Sequence, residues 1–239
     1  MYKENPKLKG SGVVACIPQK GKCPNDCADC FFQSGRSFLE PLEDNLPNMP
    51  SLKQVGHRIV RVNDGNDSNV DRQTVVSSVV QYPLKFYNTS IPKDLGGFDA
   101  PVVLTVNPGK NTDKDGTFLK EIPTNLMFIR VRTNTWNLSL VDRMVDYYGS
   151  REVPIVLGFM AYFAESIPEE HKGNYIFRKR VLNSYWAITT KAWEEVMSQY
   201  KYNKWVYSCG KIEGEFGSTF CRFCGNCIRE YFVTLERMK

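Results

Sequence analysis

Seven short apolar runs recur along the chain, and their alternation with stretches of mixed polarity constrains the fold more than any other feature of the sequence. The runs are rich in β-branched and aromatic residues, have the length of strands, and cover residues 12–18, 57–62, 84–88, 102–106, 126–133, 153–163 and 205–208. Apolar spacing between them predicts helices at residues 31–42, 70–81, 139–148, 177–182 and 190–200. We expect Asp67 or Ser68 to cap the second of these helices.

Regular alternation of strands and helices is typical of α/β proteins with a parallel sheet. Right-handed crossovers would close or partly close such a sheet into a barrel, whereas periodicity alone also allows a doubly wound open sheet. No helix is predicted between the runs at 84–88 and 102–106, so one of these two strands can lie outside the main sheet. After residue 208 the pattern changes to Gly- and Cys-rich sequence, and we expect residues 209–239 to form a small Cys-rich module.

Composition limits the class of protein. The chain has 239 residues, of which 42% are hydrophobic and 24% charged, which is enough for one sizeable core. A net charge of +5 without a long basic run permits a nucleotide substrate but does not require one. No apolar stretch reaches the roughly 18 residues of a membrane span, and the amino terminus lacks the apolar segment of a signal peptide. We therefore expect a cytoplasmic protein without membrane contact.

The eight cysteines are grouped in a way that favours metal binding over disulfides. Apart from Cys16, they form two sets: Cys23, Cys27 and Cys30, and then Cys209, Cys221, Cys224 and Cys227. A disulfide framework would be distributed through the fold, whereas close spacing is typical of metal ligation in a reducing compartment. Cys16 lies inside an apolar run, and we predict that it is a buried thiol.

The first set has the spacing Cys23-x3-Cys27-x2-Cys30, directly after the first predicted strand. Three thiolates on so short a loop can hold one metal centre but leave a position open for an exogenous ligand. A structural zinc site is the alternative, but it normally uses four protein ligands arranged as two separated pairs. No second pair lies near this loop in the sequence.

This spacing resembles that of the radical S-adenosylmethionine (radical SAM) superfamily. The resemblance implies a 4Fe-4S cluster on Cys23, Cys27 and Cys30, with SAM on the remaining iron. It also implies a partial (β/α)6-type barrel over residues 1–208, and an electron donor such as flavodoxin or ferredoxin. In the family an aromatic residue near the adenine commonly precedes the third cysteine. Here Asp29 stands at that place, and Phe31 and Phe32 follow the cysteine as candidate cofactor contacts.

The second set, Cys209-x11-Cys221-x2-Cys224-x2-Cys227, supplies four thiolates, enough to close a tetrahedral site. Its C-x2-C-x2-C run with one distant cysteine resembles ferredoxin-type ligation, so we expect a second 4Fe-4S cluster or zinc. A fully protein-ligated centre indicates a structural or electron-transfer role.

Further candidates come from the rule that barrel enzymes carry their chemistry at the carboxyl ends of the strands. Polar residues follow the second strand at this point, and in the family the corresponding stretch contacts the SAM amino group. They are Asn63, Asp64, Asn66, Asp67 and Ser68. An Asx-rich turn that caps the next helix is the simpler interpretation and is compatible with this one.

Polar residues also mark later strands. Alternation places Arg130, Arg132 and Asn134 on one face of their strand, where Arg132 or Arg130 could pair with the SAM carboxylate. Asn107 or Asn134 could lie near the ribose, and Tyr162 could line an adenine pocket. Buried ion pairs and core packing are the alternatives for the arginines and the tyrosine.

The sequence therefore predicts a radical SAM enzyme that cleaves SAM reductively to a 5'-deoxyadenosyl radical and abstracts hydrogen from a substrate. The alternative is a non-catalytic zinc- or iron-sulfur-binding protein that contacts nucleic acid or transfers electrons. No motif assigns the substrate, and both nucleotides and peptides are open.

Overall fold

The computed structural model describes residues 1–25, 27, 29–107, 118–179, 184–213 and 218–239. Its strands are Val13–Cys16 (β1), Ile59–Val62 (β2), Lys85–Thr89 (β3), Val102–Val106 (β4), Leu126–Thr133 (β5), Ile155–Phe159 (β6), Tyr175–Arg178 (β7), Tyr185–Ile188 (β8), Val206–Ser208 (β9), Lys211–Glu213 (β10) and Ser218–Phe220 (β11). Its α-helices are Leu42–Asn45 (α1), Leu52–Val55 (α2), Arg72–Ser78 (α3), Leu138–Gly149 (α4), Thr190–Gln199 (α5) and Asn226–Arg237 (α6).

The main sheet contains seven parallel strands in the order β1-β2-β3-β4-β5-β6-β9 and curls into a half-barrel. All seven predicted strands belong to it, and the predicted α/β class with a parallel sheet is confirmed. The idea that β3 or β4 lies outside the sheet is wrong, because these strands pair in register from Tyr87 with Val102 to Thr89 with Leu104. Their β-branched and aromatic side chains are buried on both faces, as is usual in parallel sheets.

The two faces of the sheet pack against different helices. The larger core joins one face to α3, α4 and α5, and it contains Val75, Met144 and Val196 from these helices. The smaller core lies on the inner face and packs Phe86 of β3 against Tyr231 of α6, with ring centroids 6.5 Å apart. The last helix therefore covers the inner face of the half-barrel.

Two predicted helices are wrong. Residues 31–35 form turns, and α1 begins only at Leu42. Phe32 and Leu39 pack with Ile17 in a small separate cluster, which holds this segment as a loop. Residues 177–182 were predicted as helix, but the segment begins within β7, which pairs with β8 as an antiparallel hairpin, and 180–183 lie outside the described residues.

Helix α3 is shorter than predicted and is capped by a different residue. The side chain of Asp71 accepts a hydrogen bond from the Thr74 amide, at 3.4 Å. Asp67 and Ser68, the predicted caps, are buried and make other contacts. Asp67 and Ser68, in the loop between β2 and α3, therefore do not serve as helix caps.

Candidate functional site

The three-cysteine loop follows β1 at the carboxyl edge of the sheet. Its cysteines are half-buried and form no disulfide bond. The Cys30 amide donates to the Cys27 carbonyl oxygen at 3.2 Å, and Gln33 Nε2 donates to the Cys23 carbonyl oxygen at 2.6 Å. These bonds satisfy main-chain groups next to all three cysteines and leave their sulfur atoms as the chemically distinctive groups of the loop.

The donor chemistry of this loop fits a metal centre that takes one further ligand. Burial raises the pKa of Cys23 to about 11, and the charges of Asp67, Cys27 and Cys30 act in the same direction. A bound metal reverses this effect because it requires the thiolate form. Within the described residues, no group of three or more His, Cys, Asp or Glu side chains already stands in a metal-ligating arrangement.

Asp67 anchors the cysteine loop to the end of β3. Its carboxylate accepts hydrogen bonds from Asn25 Nδ2 at 2.8 Å, Thr89 Oγ1 at 2.6 Å, and the Ser90 amide and hydroxyl at 2.7 and 2.8 Å. The Asn69 amide donates a fifth bond at 2.9 Å. Five donors saturate the two carboxylate oxygens. Asp67 was predicted to contact the cofactor, and in the structure it supports the segment that carries Cys23 and Cys27.

Further bonds join the loop after β2 to the cysteine loop. Asn66 Nδ2 donates to the Gly21 carbonyl oxygen at 3.1 Å, and Gln19 Nε2 donates to the Asp67 carbonyl oxygen at 2.8 Å. The other predicted residues here are also engaged. Asn63 donates to Ser68 Oγ at 3.0 Å, and both residues are buried.

Gly65 allows Phe32 to pack beneath the cysteine loop. Its φ of 149° lies outside the usual range of L residues, and a Cβ at this position would lie 2.3 Å from two ring carbons of Phe32. Phe32 is only 7% exposed, so this predicted cofactor contact is part of the local core. Phe31 is half-buried and meets Tyr185 edge to face, with ring centroids 6.1 Å apart.

Two arginines converge on Asp29, which lies between the second and third cysteines of the loop. Arg132 Nη2 donates to the Asp29 carbonyl oxygen at 3.1 Å and lies 3.9 Å from its carboxylate. Arg36 Nη2 donates to the same carbonyl oxygen at 3.4 Å, and the Ser166 hydroxyl bonds the carboxylate. Asp29 has a φ of 52°, in the left-handed region, so these contacts hold a turn of unusual backbone shape.

Arg36 is a candidate that the sequence analysis missed. It is 7% exposed, donates from Nε to Ser34 Oγ at 2.7 Å, and its guanidinium lies 4.1 Å from the ring centroid of Phe163. Burial lowers the pKa of Arg36, although the charge of Asp29 opposes this effect. Its Nη1 is buried and has no hydrogen-bond partner among the described residues. It is therefore an available donor for an anionic group.

The predicted cofactor residues on and after β5 come together next to this arginine. The Arg132 guanidinium lies 5.3 Å from the ring centroid of Tyr162, and Asn134 Nδ2 donates to the Tyr162 hydroxyl at 3.2 Å. Trp136 packs on Tyr162 with centroids 5.0 Å apart. Arg132, Asn134 and Tyr162 thus form one cluster, whereas Asn107 follows β4 at the same edge of the sheet.

The second set of cysteines lies on the inner face of the half-barrel. Cys209 follows β9, and its amide donates to the Leu157 carbonyl oxygen at 2.8 Å. Cys221 opens a short 3-10 turn, and Cys227 lies in the first turn of α6. Cys209, Cys221 and Cys227 pack against the inner core. The prediction that residues 209–239 form a separate module stays a prediction.

Two arginines of the sheet lie on the same face as this second set. Arg61 of β2 pairs with Asp64 at 2.5 Å, and Arg130 of β5 donates to Asn88 Oδ1 at 3.1 Å. Burial raises the pKa of Cys221 to about 12 against the opposing charge of Arg61. Burial likewise raises the pKa of Cys227, whereas the positive charges of Arg61 and Arg130 lower it.

Cys16 belongs to neither set. It is completely buried in the larger core, on the face of the sheet that packs against α3, α4 and α5. Burial raises its pKa to about 12, and Tyr82 hydrogen-bonds its side chain. It is a packed thiol, as the sequence predicts.

No protein-family model, curated protein or solved structure matches the chain. Among the helices in the described part of the chain, none has the length and apolar character needed to cross a bilayer.

Proposed function

We propose that the protein is a radical SAM enzyme. The observation that carries this proposal is the combination of an incomplete three-thiol set at the carboxyl edge of a half-barrel with two buried arginines beside it. We further infer that the half-barrel is a partial barrel of the (β/α)6 type. Clustered reduced thiols fit a reducing compartment, so we place the protein in the cytoplasm.

Cys23, Cys27 and Cys30 would hold a 4Fe-4S cluster, because three thiolates suit iron-sulfur chemistry and leave one iron for SAM. The chemistry that this cluster and SAM supply when bound is one-electron cleavage of SAM to methionine and a 5'-deoxyadenosyl radical, which abstracts a substrate hydrogen. Cys209, Cys221, Cys224 and Cys227 would hold a second 4Fe-4S cluster or zinc.

The arginines are suited to bind the carboxylate of SAM. Arg36 Nη1 is a buried donor without a partner among the described residues, and Arg132 brings a second guanidinium to the same Asp29 carbonyl oxygen. A guanidinium binds a carboxylate through charge-assisted hydrogen bonds, which are stronger in a water-poor site. Asp29 keeps the two cations from repelling each other before the cofactor arrives.

The aromatic cluster would shield the cofactor from water. Tyr162, Tyr175 and Trp136 pack on one another with centroids 5.0 to 5.8 Å apart, directly beside Arg132. Asn134 is 5% exposed and could meet a ribose hydroxyl if it released Tyr162. Exclusion of water strengthens the electrostatic contacts that would hold the cofactor.

The test is anaerobic reconstitution with iron and sulfide, followed by dithionite and SAM. We expect the wild-type protein to bind iron and produce 5'-deoxyadenosine, and Cys27→Ala to lose this activity. Cys16→Ala is the matched control and should retain both properties, because Cys16 lies in the opposite core. A wild-type protein that binds zinc without iron would support the alternative, a non-catalytic metal-binding protein. An iron-loaded protein that yields no 5'-deoxyadenosine would also contradict the proposal.

The physiological partners follow from the same proposal. A reduced flavodoxin or ferredoxin would supply the electron. The substrate class, nucleotide or peptide, is open, because no described contact selects between them.

A further inference from the structure

Three nitrogen atoms of buried guanidinium groups on the inner face of the half-barrel have no hydrogen-bond partner among the described residues. They are Nε of Arg61, and Nε and Nη2 of Arg130. Arg61 is 7% exposed. A buried donor left without an acceptor costs about 1–3 kcal/mol, and more when it is charged. This surplus of donors indicates that an acceptor with negative charge completes the site.

The second cysteine set lies on the same face of the sheet as these donors. Cys209, Cys221 and Cys227 pack against the inner core, which contains Ile59 and Phe128, the residues two positions before Arg61 and Arg130 on their strands. Burial lowers the pKa of Arg61, but Asp64 and the thiols of Cys221 and Cys227 together raise it above its usual value. The charges of both arginines also act on Cys227. Asp64 offsets one of the two positive charges, so the surroundings of Cys227 stay cationic.

The backbone explains why both arginines reach this place. Arg61 and Arg130 lie on β2 and β5 of the same sheet, and strand alternation directs them to the inner face. Ile129 and Val131, the neighbours of Arg130 on β5, lie in the larger core on the opposite face. Asn226 Nδ2 donates to the Ser208 carbonyl oxygen at 2.7 Å and holds the start of α6, next to Cys227, against β9.

A metal centre held by four thiolates is an anion, because the thiolates outweigh the charge of either Zn²⁺ or a 4Fe-4S core. Such a centre would accept hydrogen bonds through its sulfur atoms. Nearby cations and hydrogen bonds to the sulfurs stabilise the reduced form of an iron-sulfur cluster more than the oxidised form, since the reduced form is more negative. Zinc has no redox couple that such groups could adjust.

We propose that Arg61 and Arg130 donate hydrogen bonds to the sulfur atoms of a redox-active 4Fe-4S cluster held by Cys209, Cys221, Cys224 and Cys227, and that they raise its reduction potential. The inference rests on the second metal centre of the proposed function. It assigns that centre as a 4Fe-4S cluster and names the two arginines that set its reduction potential. The cluster gains one electron on reduction. In the experiment below, dithionite is the donor and is oxidised to sulfite as the cluster gains its electron.

The experiment isolates the second site. The full-length chain with Cys23→Ala, Cys27→Ala and Cys30→Ala is reconstituted anaerobically, analysed for iron, sulfide and zinc, and titrated with dithionite while the reduced cluster is followed by electron paramagnetic resonance. Arg130→Met is then added to this background. Arg130→Lys tests rescue of the charge, and Arg151→Met, an exposed arginine on Tyr147, is the matched control.

We expect iron and sulfide in the chain with the three Cys→Ala substitutions, which is the parent protein for the comparison. Arg130→Met should lower the ratio of reduced to oxidised cluster at a fixed potential by roughly tenfold, which corresponds to about 59 mV for one electron. Arg130→Lys should recover most of this change, and Arg151→Met should match the parent. Arg61→Met with Asp64→Asn removes the other guanidinium together with its counter-charge. The net charge stays the same, so the loss of the Arg61 hydrogen bond alone should produce a smaller shift in the same direction.

The inference is overturned if the second site binds zinc, binds no metal, or has the same potential in folded Arg130→Met as in the parent. Circular dichroism separates a folded variant from a misfolded one, and the Arg61 double variant repeats the test if Arg130→Met does not fold. The result is independent of SAM cleavage, since the first site is removed. A potential shift in a chain whose wild type cleaves no SAM would contradict the proposed function alone.

Discussion

Arg132 on β5 donates a hydrogen bond of 3.1 Å to the main-chain carbonyl oxygen of Asp29, the residue between the second and third cysteines of the loop. This bond fixes the backbone of the turn, while the Asp29 carboxylate accepts a hydrogen bond from the Ser166 hydroxyl and lies 3.9 Å from Arg132 Nη2. The sheet thereby sets the shape of a segment that is 103 residues away in the sequence. It also brings a cation to the cysteine loop without using a loop residue.

Arg36→Met should separate stability from cofactor binding. Its guanidinium donates to Ser34 and Asp29 and has one unpartnered nitrogen. Replacement by an apolar side chain of similar length loses two bonds but also removes the unpartnered donor, so it should lower the free energy of unfolding by only about 1–2 kcal/mol. The affinity for SAM should fall roughly tenfold or more, because a charge-assisted contact contributes about 1.5–3 kcal/mol. Isothermal titration with SAM and urea unfolding measure the two effects. Equal SAM affinity in wild type and variant would exclude Arg36 from the cofactor site.

Asp67→Asn should destabilise the protein by about 2–3 kcal/mol, since the amide nitrogen cannot accept the bonds that the carboxylate takes from Asn25 and Ser90. Urea unfolding checks this, and iron content after reconstitution should fall in parallel. Asp71→Asn is the matched control, because asparagine caps a helix as well as aspartate does. Asp67 would not be an anchor if both variants unfolded at the same urea concentration.

Gly65→Ala should lower the free energy of unfolding by about 2 kcal/mol or more, because its φ is unfavourable and its Cβ would meet the ring of Phe32. Gly173→Ala is the control, with ordinary φ and no atom within 4 Å of the added Cβ, and it should change stability by less than about 0.5 kcal/mol. Thermal unfolding measures both. Similar behaviour of the two variants would show that Phe32 can move aside.

Stability should decline as the pH rises from about 9 towards 12. Burial raises the pKa of Cys16 from 9.0 to about 12 and that of Tyr148 from 10.0 to about 12. In this range the unfolded chain loses protons that the folded chain retains, so each group lowers the free energy of unfolding by up to about 1.4 kcal/mol per pH unit. Urea unfolding at pH 8, 9.5 and 10.5 tests this. Cys16→Ala should show a shallower decline, and identical slopes would contradict the buried-thiol assignment.

Local patterns predicted the strands and the side chains that share a strand face. Alternation along β5 correctly placed Ile129 and Val131 opposite Arg130 and Arg132, because the period of two is fixed by backbone geometry. The predicted Asx turn after β2 is present, because the Asn69 amide donates to Asp67 Oδ1, but the other partners of Asp67 lie as far away as Asn25 and Ser90. Local spacing carries no information about such distant pairs.

The wrong and missing predictions have related causes. Apolar spacing from Phe31 to Leu42 resembles that of a helix, yet Phe32 and Leu39 are drawn to a separate cluster around Ile17. Arg36 lies in this segment, and its burial against Phe163 depends on a contact 127 residues away in sequence, so no local signal could identify it. Phe177 was assigned to a helix, whereas pairing with Trp186 across the hairpin favours a strand.

Helix α6 also bears on how the chain acquires its fold during synthesis. Its Ile228 lies against Gly12, its Tyr231 against Phe86, and its Arg237 donates to the Leu126 carbonyl oxygen at 2.7 Å. A ribosome must therefore synthesise every strand of the described residues before the segment that covers the inner face emerges. Until then a growing polypeptide exposes Phe86 and its neighbours to the surrounding solution, and such apolar surface favours aggregation. The inner core can therefore close only after the last helix has been synthesised.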